Sequence, residues 1–383
     1  MNDYRHLFPK FNLGTYLDYA ATAPVFLSVL EEMGEYELGG RGNPRRGLHA
    51  YAERGTEALE NARATVAKFI GADPSGTVFT KSATEGLNLA ITSFTRNLGP
   101  GDEVVHTIFD HNSAYLPLKR ASDEREFKLL EITKEQIEKN ALETYVFSAR
   151  TKLLVVPHVS NVTGQVLPVR TICERAHAVG ALVIVDGAQA VAHMPVNIAE
   201  LGADAYAFSA HKMYGPMGIG AVAFSAEGFR VVEPLIVGGG MIEPGVAMLE
   251  AGTPNVTGTV GFAKACEELL NIGFVSIQEH ERMIIRKLAE NMKSLPITLY
   301  HPLSPFTTPL SFSVPGVHPH DVAQVLANQG VAVRAGHHCA PQIARSLDPA
   351  GVVRVSIGLP TTQDDIERFF EALEGVKKLV KNT

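Results

Sequence analysis

The stretch Ala181-Leu-Val-Ile-Val-Asp186 is followed, one helix-length connection later, by Ala205-Tyr-Ala-Phe-Ser-Ala-His-Lys212. The first is a wholly apolar run that ends on an acid, and the second ends on a lysine. Apolar runs of this length read as strands buried on both faces, which is the habit of parallel sheets covered by helices. The same texture extends outward in both directions. Thr77–Thr80, Glu103–Thr107, Leu153–Pro157 and Ile219–Phe224 read as further strands, with helices starting at Ser82 and covering Val169–Val179. The pattern predicts an α/β fold, a large domain whose mostly parallel sheet carries helices on both faces. After Glu250 the pattern changes. Helices are expected over Val260–Asn271 and Val275–Ser294, then strands at Leu310–Val314, Val331–Arg334 and Val352–Ile357, and a closing helix over Thr362–Lys381. This predicts a smaller C-terminal α+β domain. The large domain is placed at 16–255 and the small one at 256–383, with segment 1–15 packing on the latter.

In a doubly covered sheet, ligands sit beyond the carboxyl ends of the strands. Asp186 and Lys212 both lie there, one β-α-β crossover apart, so adjacent parallel strands would aim both into one crevice. Taken singly, the lysine reads as well as a surface residue, and the aspartate as a helix N-cap. Taken together they match the needs of pyridoxal phosphate (PLP). A lysine forms a Schiff base with its aldehyde, and a carboxylate keeps the pyridine nitrogen protonated so that the ring accepts electrons. A phosphate site should accompany them. Lys81-Ser-Ala-Thr-Glu-Gly86 stands at a strand-to-helix turn, with Ser82 and Glu85 at capping-box spacing, and a helix N-terminus favours an anion. A plain capped helix is the alternative.

Four motifs occur in order: Asp186-Gly-Ala-Gln189, Ser209-Ala-His-Lys212, Glu250-Ala-Gly-Thr-Pro-Asn255 and Arg334-Ala-Gly-His-His-Cys-Ala340. Together they resemble the class V aminotransferase family of fold-type I PLP enzymes, and within it the cysteine desulfurase and selenocysteine lyase branch. The similarity runs from Tyr16-Leu-Asp-Tyr-Ala-Ala-Thr22 to Arg354-Val-Ser-Ile-Gly358. The resemblance implies that Lys212 carries the cofactor, Asp186 pairs with its ring nitrogen and Gln189 with its phenolic oxygen. It implies that Ala83, Thr84, Ser209 and His211 hold the phosphate, and that His111 stacks on the ring and shuttles a proton. Thr253 would reach the phosphate of a neighbouring subunit, which implies a homodimer. Arg354 would bind the substrate carboxylate with help from Asn161; a salt-bridged arginine on a half-exposed strand is the bland alternative. Alternation places Val353, Val355 and Ile357 on one face of that strand and Arg354 with Ser356 on the other. Arg46, in Gly42-Asn-Pro-Arg-Arg-Gly-Leu-His49, matches a further family motif and is a candidate on the substrate side.

The three cysteines are Cys173, Cys266 and Cys339. That number and spacing exclude a disulfide framework and a CxxC pair. The first two fall in predicted amphipathic helices, where cysteine acts as a small hydrophobe. Cys339 follows His337 and His338 and precedes Pro341, which reads as a loop, and neighbouring histidines can favour a thiolate. A zinc site there lacks further ligands at the usual spacing, so no metal is expected; an incidental cysteine is the other alternative. The resemblance implies that Cys339 is the nucleophile. The expected activity is removal of sulfur from L-cysteine to give L-alanine and a persulfide on Cys339. That persulfide is then passed to an acceptor protein such as a scaffold for iron–sulfur clusters. Selenocysteine lyase, another C–S lyase or a transaminase are the enzyme alternatives, and a catalytically inactive partner subunit is the non-enzymatic one. One departure from the pattern is visible. Only 11 residues separate Gly240 from Gly252, too few for the hairpin carried by desulfurases that work with a dedicated acceptor protein.

Charge and hydropathy bound the partners. Lys+Arg number 34 and Asp+Glu 41, a formal net charge of −7, without a basic cluster, which argues against nucleic acid. The apolar runs are too short to span a bilayer, and the first ten residues lack an apolar signal core, so a cytoplasmic location is expected.

Overall fold

The computed structural model describes residues 3–11, 14–138, 145–241, 244–300 and 308–380. Parts of three sequence readings lie outside them: the end of the closing helix at Lys381, part of the amino-terminal segment, and residues 242–243 of the short stretch. The strands are β1 (Thr15–Tyr16), β2 (Thr77–Thr80), β3 (Glu103–Thr107), β4 (Lys128–Ile132), β5 (Thr151–Pro157), β6 (Leu182–Asp186), β7 (Ala205–Ser209), β8 (Gly220–Phe224), β9 (Thr298–Tyr300), β10 (Leu310–Ser313), β11 (Val331–Ala332), β12 (Arg334–Gly336) and β13 (Val352–Val355). The chain divides into two compact units. The larger comprises Val25–His158 and Leu167–Asn271, and the smaller Met1–Pro24, Val159–Val166 and Ile272–Thr383.

The larger unit is built on a seven-stranded sheet of order β2-β8-β7-β6-β5-β3-β4. The run from β7 to β4 is parallel, while β8 is antiparallel to both β7 and β2. Leu87, Ala90 and Ile91 of the helix Ala83–Phe94 pack with Val155, Ile184, Ala207 and Val222 of the sheet in one apolar cluster. The helix Val256–Ile272 belongs to this unit up to Asn271, so the division lies one helix later than the 255/256 boundary drawn from the sequence. The reason is aromatic packing: the Phe262 ring meets Phe208 of β7 at 5.3 Å and Phe79 of β2 at 6.5 Å.

The smaller unit holds an antiparallel sheet of order β12-β13-β10-β9 and the parallel pair β1-β11. Phe312 of β10, Val353 and Val355 of β13, and Phe369 of the helix Gln363–Val380 form its core. The single strand expected over Val331–Arg334 is two. Val331 and Ala332 pair with β1, and Arg334–Gly336 pairs with β13, so the chain changes sheet at Val333.

Candidate active site

In the larger unit, the parallel pairing of β6 with β7 sets Asp186 beside Ala207, two residues before Ser209 and five before Lys212. Lys212 closes a single 3-10 turn, Ala210–Lys212, directly after β7. Asp186 is buried, and its Oδ1 accepts the Ala188 N–H at 3.0 Å. Burial pushes its carboxyl pKa up, against the downward pull of Lys212, and Asp110 adds to the rise. Residue 187 has to be glycine, because a Cβ there would stand 2.0 Å from the Tyr206 ring. The Tyr206 hydroxyl in turn contacts His158 Nδ1 at 2.8 Å.

The expected capping box does not form, since its return bond would have to end on the Ser82 N–H. Glu85 Oε2 accepts the N–H of Lys81 at 2.5 Å, and the Ser82 side chain caps nothing. Ser209 takes over that part: its Oγ accepts the Ala83 N–H at 2.7 Å and ties the end of β7 to the start of the helix Ala83–Phe94. Gly220 pairs with both Thr80 and Ser209, and a Cβ there would come within 2.8 Å of the Ser82 backbone. His211 adjoins this turn, and burial, helped by the charge of Lys212, lowers its pKa to about 4. His111 caps the helix Asn112–Arg125. Its Nδ1 accepts the Ser113 N–H at 3.0 Å and lies 2.7 Å from Ser113 Oγ, so the neutral ring carries its proton on Nε2. Gln189 is buried. These groups suit PLP. A helix N-terminus with a serine beside it offers donors to a phosphate, and a desolvated carboxylate calls for a cationic partner such as a protonated ring nitrogen.

Thr253 is exposed and lies on a wall of a cavity of about 230 Å³ with Lys81, Glu85, Ile236 and Asn255. Its segment is anchored from behind. Glu250 receives both Nη groups of buried Arg63 at 2.6 and 2.9 Å and the Phe79 N–H at 2.7 Å. Arg46 lines a second cavity, of about 140 Å³, with Gly240, Glu250 and Gly252. The Gly252 N–H meets the Gly239 oxygen at 2.6 Å, which closes the short stretch at its base. Within that stretch the described residues form a turn and the 3-10 helix Val246–Met248, and no strand.

In the smaller unit, β13 is buried along its whole length, which corrects the half-exposed strand weighed from the sequence. Arg354 is 1% exposed. Its Nη2 donates to Asp18 Oδ1 at 2.8 Å and its Nη1 to the Asn161 main-chain oxygen at 3.0 Å, while Nε has no partner. The Asn161 side chain turns elsewhere, and its Nδ2 donates to the His338 oxygen at 2.8 Å. Cys339 is the exposed thiol of the chain, while Cys173 and Cys266 are buried. Burial pushes the Cys173 thiol up to about 12 and raises that of Cys266 well above its ordinary value. The expectation that both neighbouring histidines serve the Cys339 thiol fails for His338. Its ring is buried, its Nε2 donates to the Val352 oxygen at 3.0 Å, and burial lowers its pKa to about 2. The cation beside Cys339 Sγ is Arg334, with Nη2 at 3.6 Å. Among the described residues no group of three or more His, Cys, Asp or Glu is placed to hold a metal.

Sequence reasoning assigned no role to Asp18, Arg63 or Ser113. Asp18 lies within a motif quoted for the resemblance, which was its only signal.

The sheet, with the lysine and the aspartate at its carboxyl edge and the serine-capped turn before the helix Ala83–Phe94, has the arrangement that the class V resemblance implies. Residues 15–369 match the Aminotransferase class-V family, and the chain belongs to it. It is 36% identical over 95% of its length, and 93% of the relative's, to a probable cysteine desulfurase of Halalkalibacterium halodurans. It superposes with a TM-score of 0.93, at 34% identity and over 100% and 99% of the two chains, on the apo structure of a cysteine desulfurase from Thermococcus onnurineus NA1. A cysteine desulfurase of Escherichia coli, solved as its S-sulfonic acid form, gives 0.90 at 30% identity over 98% of both chains.

Proposed function

We propose that this protein is a PLP-dependent cysteine desulfurase, which converts L-cysteine to L-alanine and leaves a persulfide on Cys339. The observation that carries the reading is the exposure of Cys339 while both other thiols are buried and inert. The desulfurase relatives support it. When bound, PLP supplies an electron sink that acidifies the substrate Cα–H. Lys212 Nζ anchors the cofactor and takes the Cα proton once freed. Asp186 would hold the proton of the ring nitrogen, Gln189 would pair with the phenolic oxygen, and His111 would stack on the ring and shuttle a proton. Ser209, His211, Ala83 and Thr84 hold the phosphate. Arg354 binds the substrate carboxylate, oriented by Asp18 and by the main chain of Asn161. Arg46 is a further candidate for the substrate side. The Cys339 thiolate attacks the substrate sulfur. An S–S bond forms as the Cβ–S bond breaks, and the electron pair left on Cβ is protonated to the methyl group of alanine.

The persulfide then passes to an acceptor protein, and without room for a hairpin between Gly240 and Gly252 the acceptor docks by other means. Thr253 serves a neighbouring subunit's phosphate in a homodimer; a fully active monomer in sedimentation runs would refute this. A cytoplasmic location fits a chain whose described helices are none of them long and apolar enough to cross a membrane. The test of the activity is Cys339→Ser. It should keep the cofactor absorbance and lose both alanine release from L-cysteine and the persulfide on the Cys339 peptide. Turnover at the wild-type rate would refute the desulfurase reading in favour of another lyase or a transaminase.

A further inference from the structure

His338 and Cys339 both adopt left-handed backbone, with φ of 52° and 55°, a conformation that side-chain-bearing residues rarely take and that persists only when the surroundings impose it. Neither is glycine, and two in succession precede the Pro341–Leu347 helix. The restraints on this turn are specific. His338 Nε2 donates to the Val352 oxygen, two residues before Arg354 on the same strand. The His338 oxygen, one peptide before Cys339, accepts from Asn161 Nδ2. The Asn161 oxygen accepts from Arg354 Nη1. These three bonds link the arginine, the asparagine and the cysteine turn into one hydrogen-bonded chain.

We propose that His338 and Asn161 form a clamp that holds Cys339 in its left-handed turn and registers the nucleophile against Arg354, so that both are positioning residues and His338 carries no proton in the reaction. The proposal rests on the desulfurase reading, in which Arg354 takes the carboxylate and Cys339 the sulfur of one substrate. The bond to the Val352 oxygen requires a proton on Nε2, because a carbonyl only accepts. The charged and titratable groups that act on His338, namely Arg354, Arg334 and His337, all disfavour a second proton. Its Nδ1 has no partner. A neutral, buried ring fixed by one donated bond suits a strut rather than an acid or base. Loss of register on the order of 1 Å at a reacting atom costs roughly 100-fold in rate, which makes such a strut worth keeping in a turn with unfavourable φ.

The experiment uses PLP-loaded enzyme and three variants, reading the single-turnover rate of Cys339 persulfide formation, the alkylation rate of Cys339 by iodoacetamide and the cofactor absorbance. His338→Leu should slow persulfide formation by about tenfold or more and change the alkylation rate, with the cofactor band unchanged. His338→Gln retains an amide donor at the Nε2 position. It should stay within about threefold of wild type and follow the same pH–rate profile. Asn161→Ala cuts the bond to the His338 oxygen but keeps the main-chain oxygen that holds Arg354. It should slow persulfide formation while KM for L-cysteine stays within about threefold. Wild-type rates in His338→Leu and Asn161→Ala would overturn the clamp. So would a displaced limb in the His338→Gln pH profile, which would mark His338 as a titrating group. If His338→Leu does not fold, the other two variants decide. Cys339→Ser run in parallel separates the two claims. Full activity there sinks the desulfurase reading, whereas an inactive Cys339→Ser beside wild-type clamp variants sinks only the clamp.

Discussion

Arg354 and Asp18 show how one residue can require another. A guanidinium at 1% exposure has lost nearly all its hydration, and burial pulls its pKa down against the opposing charge of Asp18. Removing one partner from such a pair leaves a charge without compensation and costs about 3–5 kcal/mol. Asp18 also occupies one Nη2 hydrogen, which leaves the unpartnered Nε edge for a planar two-oxygen ligand. Asp18→Asn should therefore raise KM for L-cysteine about tenfold with a smaller effect on kcat. It should also lower the unfolding midpoint by several degrees. Steady-state kinetics and a thermal melt check both, and an unchanged KM would mean that Asp18 serves stability alone. Neither partner could be matched to the other from the chain, since 336 positions separate them.

At the scale of elements, the turn proposed to hold the phosphate depends on how β7 and β2 flank β8. The antiparallel pairings place Gly220 opposite both Thr80 and Ser209, which brings Ser209 Oγ to the first N–H of the helix Ala83–Phe94. The sequence spacing of Ser82 and Glu85 suggested that the helix caps itself, but a side chain from another strand does so. Ser209→Ala leaves the Ala83 N–H without its acceptor, a change worth about 1–3 kcal/mol at a buried donor. It also removes a hydroxyl proposed to hold the phosphate. The expected result is cofactor binding weakened by about tenfold or more in an absorbance titration of apo-protein with PLP. An unchanged titration would remove Ser209 from the phosphate site. The same scale explains what was missed. The helix Asn112–Arg125 contains Pro117, normally a breaker, and β4 is an edge strand whose Lys128 and Glu131 blur its apolar pattern.

For the whole molecule, stability against acid draws on buried histidines such as His158, whose burial opposes protonation. Burial lowers the pKa of His158 to about 4, from 6.5 for a free side chain. Below pH 6.5 the unfolded chain gains a proton at this residue that the folded one refuses. Its contribution is therefore complete above pH 6.5 and is lost as the pH falls toward 4. The sign is fixed because the unfolded state binds more protons, so stability rises with pH across this window. His158→Asn keeps an acceptor near the Tyr206 hydroxyl and cannot titrate. The gap between its melting temperature and that of the wild type should shift in favour of the variant between pH 6.5 and pH 4. A gap that stays constant over that range would show that His158 is protonated in the folded state as readily as in the unfolded one.

What the sequence by itself determined was local and periodic. The apolar runs of β5, β6 and β7 were legible because a strand buried on both faces is mostly apolar along its length. The position of Asp186 and Lys212 at the carboxyl ends of β6 and β7 was legible because each directly follows an apolar run, and the family motifs supplied the roles proposed for the phosphate, carboxylate and thiol residues. What only the tertiary structure decided concerns partners far apart in the chain. Asp18 for Arg354, Ser209 for the helix Ala83–Phe94, Arg63 for Glu250 and Val352 for His338 are each chosen by burial. A desolvated donor or charge must find its complement wherever the folded chain presents one, and linear spacing carries no record of that choice. For the same reason His338, beside Cys339 in the chain, turns inward to the Val352 oxygen, and Arg334, five residues upstream, stands next to the sulfur.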